Sequence, residues 1–227
     1  MSRFAAVAPL ARGWAAAVLL VTAAGCTGLF HSTARLDQVY FLRAHAARSE
    51  TEARPALADS IHVARPAPGP GLDSSHIVLL ESDRRMSYYM ASRWPAALPE
   101  VVEELAVESL TSSGSWAAVQ SSGSQFPSDY LLQIRIRRFE ADYTSDLNIP
   151  EVHVALDCTL GRRSGREIIA TFAAEGSAKA GANRLSEVVA AFEDATGTAL
   201  ASLSTRAAEA ARQADQKVDN PVNSMKR

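Results

Sequence analysis

The sequence has little cysteine and no excess of positive charge. Only two of its 227 residues are cysteine, Cys26 and Cys158, which excludes a fold held together by several disulfide bonds. The formal net charge is -2 and no block of Lys or Arg stands out, so a nucleic-acid-binding surface is not indicated. The hydrophobic fraction of 47% is ordinary for a globular protein. These totals predict one domain with short extensions.

Signatures of catalysis and cofactor binding are also missing. The sequence contains no G-x-G-x-x-G, P-loop lysine, C-x-x-C, H-E-x-x-H or G-x-S-x-G pattern. His153 and Asp157 share one face of a predicted strand, but residues four apart in a strand are separated by about 13 Å, too far to ligate one ion. Cys158 lies in phase with apolar residues, which favours a buried, unreactive thiol. We therefore expect no catalytic residues, no metal site and no cofactor.

The N-terminus has the pattern of a bacterial export signal that ends at a lipidated cysteine. Two arginines precede an apolar run over 14–22, which is long enough for a signal peptide and too short to span a membrane. The next stretch, AAGC at 23–26, resembles a lipobox, in which cleavage precedes a cysteine whose thiol is acylated. We expect cleavage between Gly25 and Cys26, with lipidation of Cys26. An ordinary cleaved signal with an unmodified cysteine is the alternative.

The residue after this cysteine predicts which membrane holds the anchor. Thr27 stands where Asp is the usual signal for retention in the inner membrane of Gram-negative bacteria, and this general sorting rule favours the periplasmic face of the outer membrane. Several acyl chains would anchor the protein stably, since each buried CH₂ contributes about 0.8 kcal/mol. Residues 1–25 are expected to be the lipoprotein signal peptide, and residues 26–36 the lipidated tether.

The remaining sequence alternates β-prone segments with two helical segments. Periodicity predicts helices over 95–112 and 183–214. A change of phase along the longest strand predicts a β-bulge near Arg137 and Arg138. Strands are predicted over 39–42, 60–64, 76–81, within 82–94, and over 116–120, 129–140, 152–160 and 166–174, with a Pro-rich loop over 65–73. We expect one α/β domain over 37–214 and a disordered polar tail over 215–227.

The order of these elements resembles the ABC-type transport auxiliary lipoproteins, which include the paraquat-inducible protein C group. The run Arg-Trp-Pro-x-x-Leu at 93–98 is the most specific similarity, and the family's Tyr-Leu-Asp triplet has Gly71 in place of tyrosine. The resemblance covers roughly residues 37 to 210. Its other parts are the lipobox at Cys26, VYFL at 39–42, SYYMASRWPAAL at 87–98, DYLLQIRIRRFEADY at 129–143 and ALASLS at 199–204.

The resemblance implies a three-layer α/β sandwich with a mixed sheet and a long C-terminal helix. It also implies a non-enzymatic outer-membrane lipoprotein that docks the periplasmic part of a lipid transport system. The implied partners are a mammalian cell entry (MCE) domain protein and, in the same system, an ABC permease and an ATPase. A homo-oligomer is a further expectation. A structural or assembly lipoprotein of another cell-envelope complex is the alternative function.

Two groups of residues are candidates for partner contacts. Arg93 and Trp94 are candidates because Arg and Trp are enriched at interface hot spots. The alternative is that Trp94 packs on the first helix while Arg93 is solvated. Arg135, Arg137 and Arg138 alternate with apolar residues and are candidates for a basic strip that binds anionic headgroups or an acidic partner. If helices cover both sheet faces, these arginines must lie at an edge or have carboxylate partners; a solvated sheet face is the alternative.

Overall fold

The computed structural model describes residues 37–43 and 57–219. The expected signal peptide over 1–25 and the tether over 26–36 lie outside these residues, as does the predicted lipidation site at Cys26. The end of the expected tail, residues 220–227, also lies outside them.

Nine strands and two α-helices make up the described part of the chain. Helix α1 (Leu98–Ser112) follows the fifth strand, and helix α2 (Leu185–Asp219) follows the ninth. A short 3₁₀ turn, Ser164–Arg166, joins the last two strands. The strands are β1 (Gln38–Val39), β2 (Ser60–Val63), β3 (Ala67–Pro68), β4 (His76–Leu80), β5 (Met86–Arg93), β6 (Ala118–Gln120), β7 (Tyr130–Asp142), β8 (Glu151–Arg162) and β9 (Glu167–Lys179).

All nine strands belong to one mixed sheet organised around β7. Along one edge, β7 pairs in parallel with β2, β3 and β4; β8 pairs with it antiparallel, and β9 follows β8. The sheet continues beyond these parallel strands in two places. Next to β4, β5 runs antiparallel and β1 pairs with β5. Next to β2, β6 pairs in parallel. The expected α/β class, the mixed sheet and the long C-terminal helix are confirmed.

The β7–β8 ladder contains the bulge that the sequence predicts. Its register shifts between Ile136 and Arg138, and Phe139 then returns to the buried face. Before the bulge, Leu132, Ile134 and Ile136 are buried, whereas the residues between them are exposed. One face of β7 is therefore apolar and the other polar, as the alternation in the sequence requires.

The two helices lie on the same side of the sheet. Ser109 of α1 donates a hydrogen bond to the carbonyl oxygen of Leu200 in α2 (3.4 Å), and Ser204 donates one back to the carbonyl of Ser109 (3.5 Å). The two helices therefore form one layer on this side of the sheet. The opposite face of β7 has polar or charged side chains at alternate positions, so it offers a helix little apolar surface.

Several element boundaries differ from those predicted. Helix α1 begins at Leu98, which places Pro99 in the first turn, where its missing N–H is tolerated. Helix α2 continues to Asp219 rather than ending at Ala214, so the first residues of the expected disordered tail are helical. The Pro-rich loop contains β3, a two-residue segment that pairs with β7. Strand β1 is shorter than predicted, at Gln38–Val39.

Helix α2 packs very close to the end of β9. Gly176 lies where a Cβ atom would overlap the carbonyl oxygen of Ala195 in α2, so only glycine allows this approach of helix and strand.

Among the described residues, neither helix combines the length and the apolar character that a membrane-spanning segment needs.

Candidate functional site

Trp94 lies in the core and not on a docking surface, which corrects its candidacy for partner binding. Its side chain is 1% exposed. The indole makes edge-to-face contacts with Phe192 of α2 at 5.3 Å and with Phe139 of β7 at 6.1 Å, measured between ring centroids. Phe139 and Phe192 stack on each other at 5.2 Å. Three aromatic rings from β5's end, β7 and α2 are therefore packed together in the core.

Arg93, the neighbouring candidate, remains accessible at the surface. It is the last residue of β5, and its side chain is 43% exposed. Its Nε lies 3.6 Å from a carboxylate oxygen of Asp37, and its backbone carbonyl accepts a hydrogen bond from the amide of Tyr40. Arg93 therefore joins the beginning of the described chain to the end of β5.

Two of the three arginines of β7, Arg137 and Arg138, have carboxylate partners on the open sheet face, whereas Arg135 is exposed. Arg137 pairs with Asp157 of β8 at 3.4 Å and also bonds Glu175 of β9. Arg138 bonds Glu140 at 2.5 Å and Asp142 at 3.1 Å. This charge pairing removes most of the predicted basic strip, because a neutralised guanidinium attracts anionic headgroups weakly.

Asp142 illustrates how these contacts act on a carboxylate. Burial favours its protonated form, but the hydroxyl and amide of Thr144 donate hydrogen bonds to it and Arg138 adds a positive charge nearby. Together these groups hold the pKa of Asp142 below its usual value. The carboxylate therefore stays ionised and keeps its ion pair.

Cys158 and His153 occupy the positions predicted from strand periodicity. Cys158 is fully buried, and burial raises the pKa of its thiol to about 12, so it is a poor nucleophile near neutral pH. His153 lies 3.9 Å from Glu151, while Asp157 pairs with Arg137 instead. In the described ranges, 37–43 and 57–219, no group of three or more His, Cys, Asp or Glu side chains is arranged to hold a metal ion.

A groove of about 300 Å³ beside α1 is lined by acidic side chains. Glu100, Glu103 and Glu104 contribute carboxylates, with Val107 and Ser121 completing the wall. Glu103 accepts a hydrogen bond from the amide of Ser122 at 2.7 Å. That bond gives the most buried of the three glutamates a structural role, since it satisfies the backbone of the loop after β6.

A network of hydrogen bonds and an ion pair joins the start of β7 and the end of β8 to α2. Tyr130 donates to Asp215 of α2 at 2.9 Å, and Arg162 of β8 bonds both Tyr130 and Asp215. Burial raises the pKa of the Tyr130 hydroxyl to about 12. Periodicity alone could not reveal this network, because its members are up to 85 positions apart in the chain.

An exposed apolar surface on β1 and β5 is the feature that sequence reasoning missed. It comprises Val39, Phe41, Met86, Tyr88 and Met90, five of the eight large apolar side chains exposed in the described part of the chain. We call these five residues the β1–β5 surface. Met90 is 89% exposed and Phe41 66% exposed. Alternation along β5 indicated a strand with two different faces, but could not indicate that the apolar face is uncovered.

The chain is similar to known proteins over most of its described domain. Residues 40–208 match the model of the family described as ABC-type transport auxiliary lipoprotein component. The crystal structure of a Xanthomonas campestris protein of the DUF330 family is similar to this chain with a TM-score of 0.72 and 24% identity, covering 79% of this chain and 99% of that one.

A second crystal structure, of an uncharacterized protein, has a TM-score of 0.59 and 16% identity and covers 76% of this chain and 99% of the other. At these identities the two structures support the fold alone. No curated protein matches the chain.

Proposed function

Because this chain belongs to the ABC-type transport auxiliary lipoprotein family, we propose that it is the lipid-anchored auxiliary component of an ABC-type system that moves phospholipid between two membranes. The match over residues 40–208 is the observation that carries this proposal, since it spans nearly all of the described domain. The protein acts by positioning a partner and performs no chemistry itself. ATP hydrolysis belongs to another chain, because the sequence has no P-loop lysine motif.

Cys26 supplies the anchor in this proposal. Signal peptidase cleaves between Gly25 and Cys26, and acyl chains on the cysteine hold the domain at the periplasmic face of the outer membrane. The support is the order of charge, apolar run, small residues and cysteine in the sequence, together with the family's description as lipoproteins. Thr27 supports the outer membrane over the inner membrane through the general sorting rule.

An MCE-domain protein is the proposed direct partner, with the permease and ATPase of the same system attached through it. Arg93 is a candidate contact because its guanidinium is accessible, whereas Trp94 supports the fold beneath it. Docking at the outer membrane would complete a path between the membranes. A homo-oligomer is part of the proposal, and light scattering on the detergent-extracted complex measures the number of copies.

Affinity purification tests the proposed partners. The protein, tagged at its C-terminus, is crosslinked in cells, extracted from membranes with mild detergent and analysed by mass spectrometry. We expect an MCE-domain protein, a permease and an ATPase to be enriched over a control that carries the same tag on an unrelated outer-membrane lipoprotein. Enrichment of other envelope proteins without an MCE-domain protein would instead support the structural or assembly alternative.

A further inference from the structure

The β1–β5 surface lies on one face of the sheet, away from the helices. On β5, the hydroxyl of Tyr89 bonds Tyr143 at 2.9 Å, and Tyr143 in turn donates to Asn183 just before α2, so Tyr89 faces the helical layer. Its neighbours Tyr88 and Met90 must therefore point the other way. Tyr88 also stacks beside His76 of β4, with ring centroids 4.9 Å apart, which fixes its orientation on the open face.

Residues 39–42 continue this face beyond β5. Tyr40 and Leu42 are half-buried against the core, so the alternate residues Val39 and Phe41 point toward the open side. Val39 is paired in register with Arg93, the end of β5. The five apolar side chains thus lie on the same side of the sheet, three along β5 and two in the neighbouring segment 39–41, rather than being scattered over the whole surface.

The predicted anchor enters the domain at this same place. Asp37 is the first described residue and pairs with Arg93, and Gln38 lies opposite Ser92, two positions from Met90. Only ten residues, 27–36, separate Cys26 from Asp37, and the eleven Cα-to-Cα steps between them reach at most about 40 Å when fully extended. An acylated Cys26 therefore keeps the bilayer permanently within reach of the β1–β5 surface, which makes docking an intramolecular event.

The chemistry of the surface suits the headgroup region of a bilayer. Phe and Tyr side chains are favoured at membrane–water interfaces, and methionine adapts to irregular apolar surroundings. Two exposed arginines lie at the margin of the surface: Arg84 in the turn before β5 and Arg43 after β1. Cations in these places attract anionic lipid headgroups.

From these observations, and resting on the proposed lipidation of Cys26, we propose that the β1–β5 surface docks on the bilayer that holds the anchor, with Phe41, Tyr88 and Met90 at the level of the headgroups. Docking fixes the orientation of the domain. The open sheet face turns toward the membrane at β5, and the helical layer turns toward the periplasm, where a partner can reach it.

A fluorescent label at position 90 tests this orientation. The acylated protein carrying Met90→Cys is labelled with an environment-sensitive fluorophore and reconstituted in vesicles of phosphatidylethanolamine and phosphatidylglycerol. Labelling is selective because acylation occupies the thiol of Cys26 and burial makes Cys158 unreactive. We expect lipids with nitroxide groups near the headgroup to quench the label at least twofold. A label that water-soluble quenchers reach equally well with and without vesicles would overturn the proposal.

The matched control is Ile168→Cys, labelled in the same way. Ile168 is 67% exposed and apolar, but it begins β9 and pairs with Gly161 at the opposite end of β7 from Met86. We expect the lipid quencher to change the signal at this position by much less than the twofold expected at position 90. Equal quenching at both positions would indicate nonspecific adsorption and contradict a fixed docking surface.

Two further comparisons separate the competing outcomes. If quenching at position 90 is independent of the protein-to-lipid ratio, the bilayer covers the surface; protection that rises with protein density indicates a second copy and overturns the proposal. Co-sedimentation with the vesicles is measured on the same samples. Protein that fails to sediment contradicts the anchor and this inference together, whereas protein that sediments with an unquenched label contradicts the inference alone.

Discussion

At the scale of single residues, Trp94 links three parts of the fold. It lies between the end of β5 and the start of α1, and its ring contacts Phe139 of β7 and Phe192 of α2. Aromatic pairs of this geometry contribute about 0.5–1.5 kcal/mol beyond the area that they bury. Arg93 next to it has an exposed ion pair, a class of interaction that contributes about 0–1 kcal/mol. Adjacent positions in one motif thus have different roles.

Substitution of these two neighbours should separate stability from surface contact. Trp94→Ala is expected to lower the free energy of unfolding by about 3–5 kcal/mol, because it leaves a cavity beside Phe139 and Phe192. Arg93→Ala should lower it by less than about 1 kcal/mol. Urea unfolding followed by circular dichroism measures both values. Equal, small effects of the two substitutions would contradict the core position of Trp94.

The carboxyl groups near Asp59 predict a dependence of stability on pH. Burial and the charges of Asp215 and Asp129 raise the pKa of Asp59 above the usual value for an aspartate, although Arg162 opposes them. A raised folded-state pKa means that stability falls as pH rises through the interval between the unfolded and folded values. Asp59→Asn should therefore raise the melting temperature at pH 7, and the gain should disappear below about pH 4.

Asp129→Asn is the control of opposite sign. The amide and hydroxyl of Ser60 donate hydrogen bonds to Asp129 at 2.8 Å and lower its pKa. Its contribution to stability is present above the unfolded-state pKa and is lost as pH falls through the lowered folded value. The substitution should lower the melting temperature at pH 7. A decrease for both variants at pH 7 would show that the repulsion around Asp59 is unimportant.

At the scale of elements, strand periodicity predicts the buried faces of the sheet, whereas the sequence does not predict where the helices end. The alternation along β7 and β8 gave the buried face, the position of Cys158 and the bulge near Arg137 correctly, because side-chain direction in a strand follows from sequence spacing. The end of α2 could not be read in the same way. Asp215 is bonded by Tyr130 and Arg162, and such long-range partners leave no periodic signal.

The contact of β9 with α2 gives a prediction for one glycine. Gly176→Ala should lower the free energy of unfolding by about 1–3 kcal/mol or more, because the added methyl group overlaps the carbonyl oxygen of Ala195. Gly123→Ala is the control, since no atom lies within 4 Å of the position that its Cβ would take. Urea titration measures the free energy of unfolding of both variants. A neutral Gly176→Ala would mean that helix and strand can separate without cost.

At the scale of the whole molecule, the described domain packs both helices on one side of its sheet and leaves the apolar β1–β5 surface uncovered on the other side. The sequence indicated the family and the α/β class, and both are confirmed. It did not indicate the β1–β5 surface, because exposure depends on which face of the sheet each element covers. The membrane that holds the protein and the partner that it positions are proposals that follow from the family and from Cys26.

The mass of the N-terminal peptide of the mature protein tests the central claim most directly. Protein extracted from membranes is digested and its N-terminal peptide is analysed by mass spectrometry, with Cys26→Ala as the control. We predict a peptide that begins at Cys26 and carries a diacylglyceryl group on the thiol and an acyl chain on the amine, and we predict an uncleaved or unanchored protein for the control. A mature N-terminus at another residue, or an unmodified Cys26 thiol, would contradict the account.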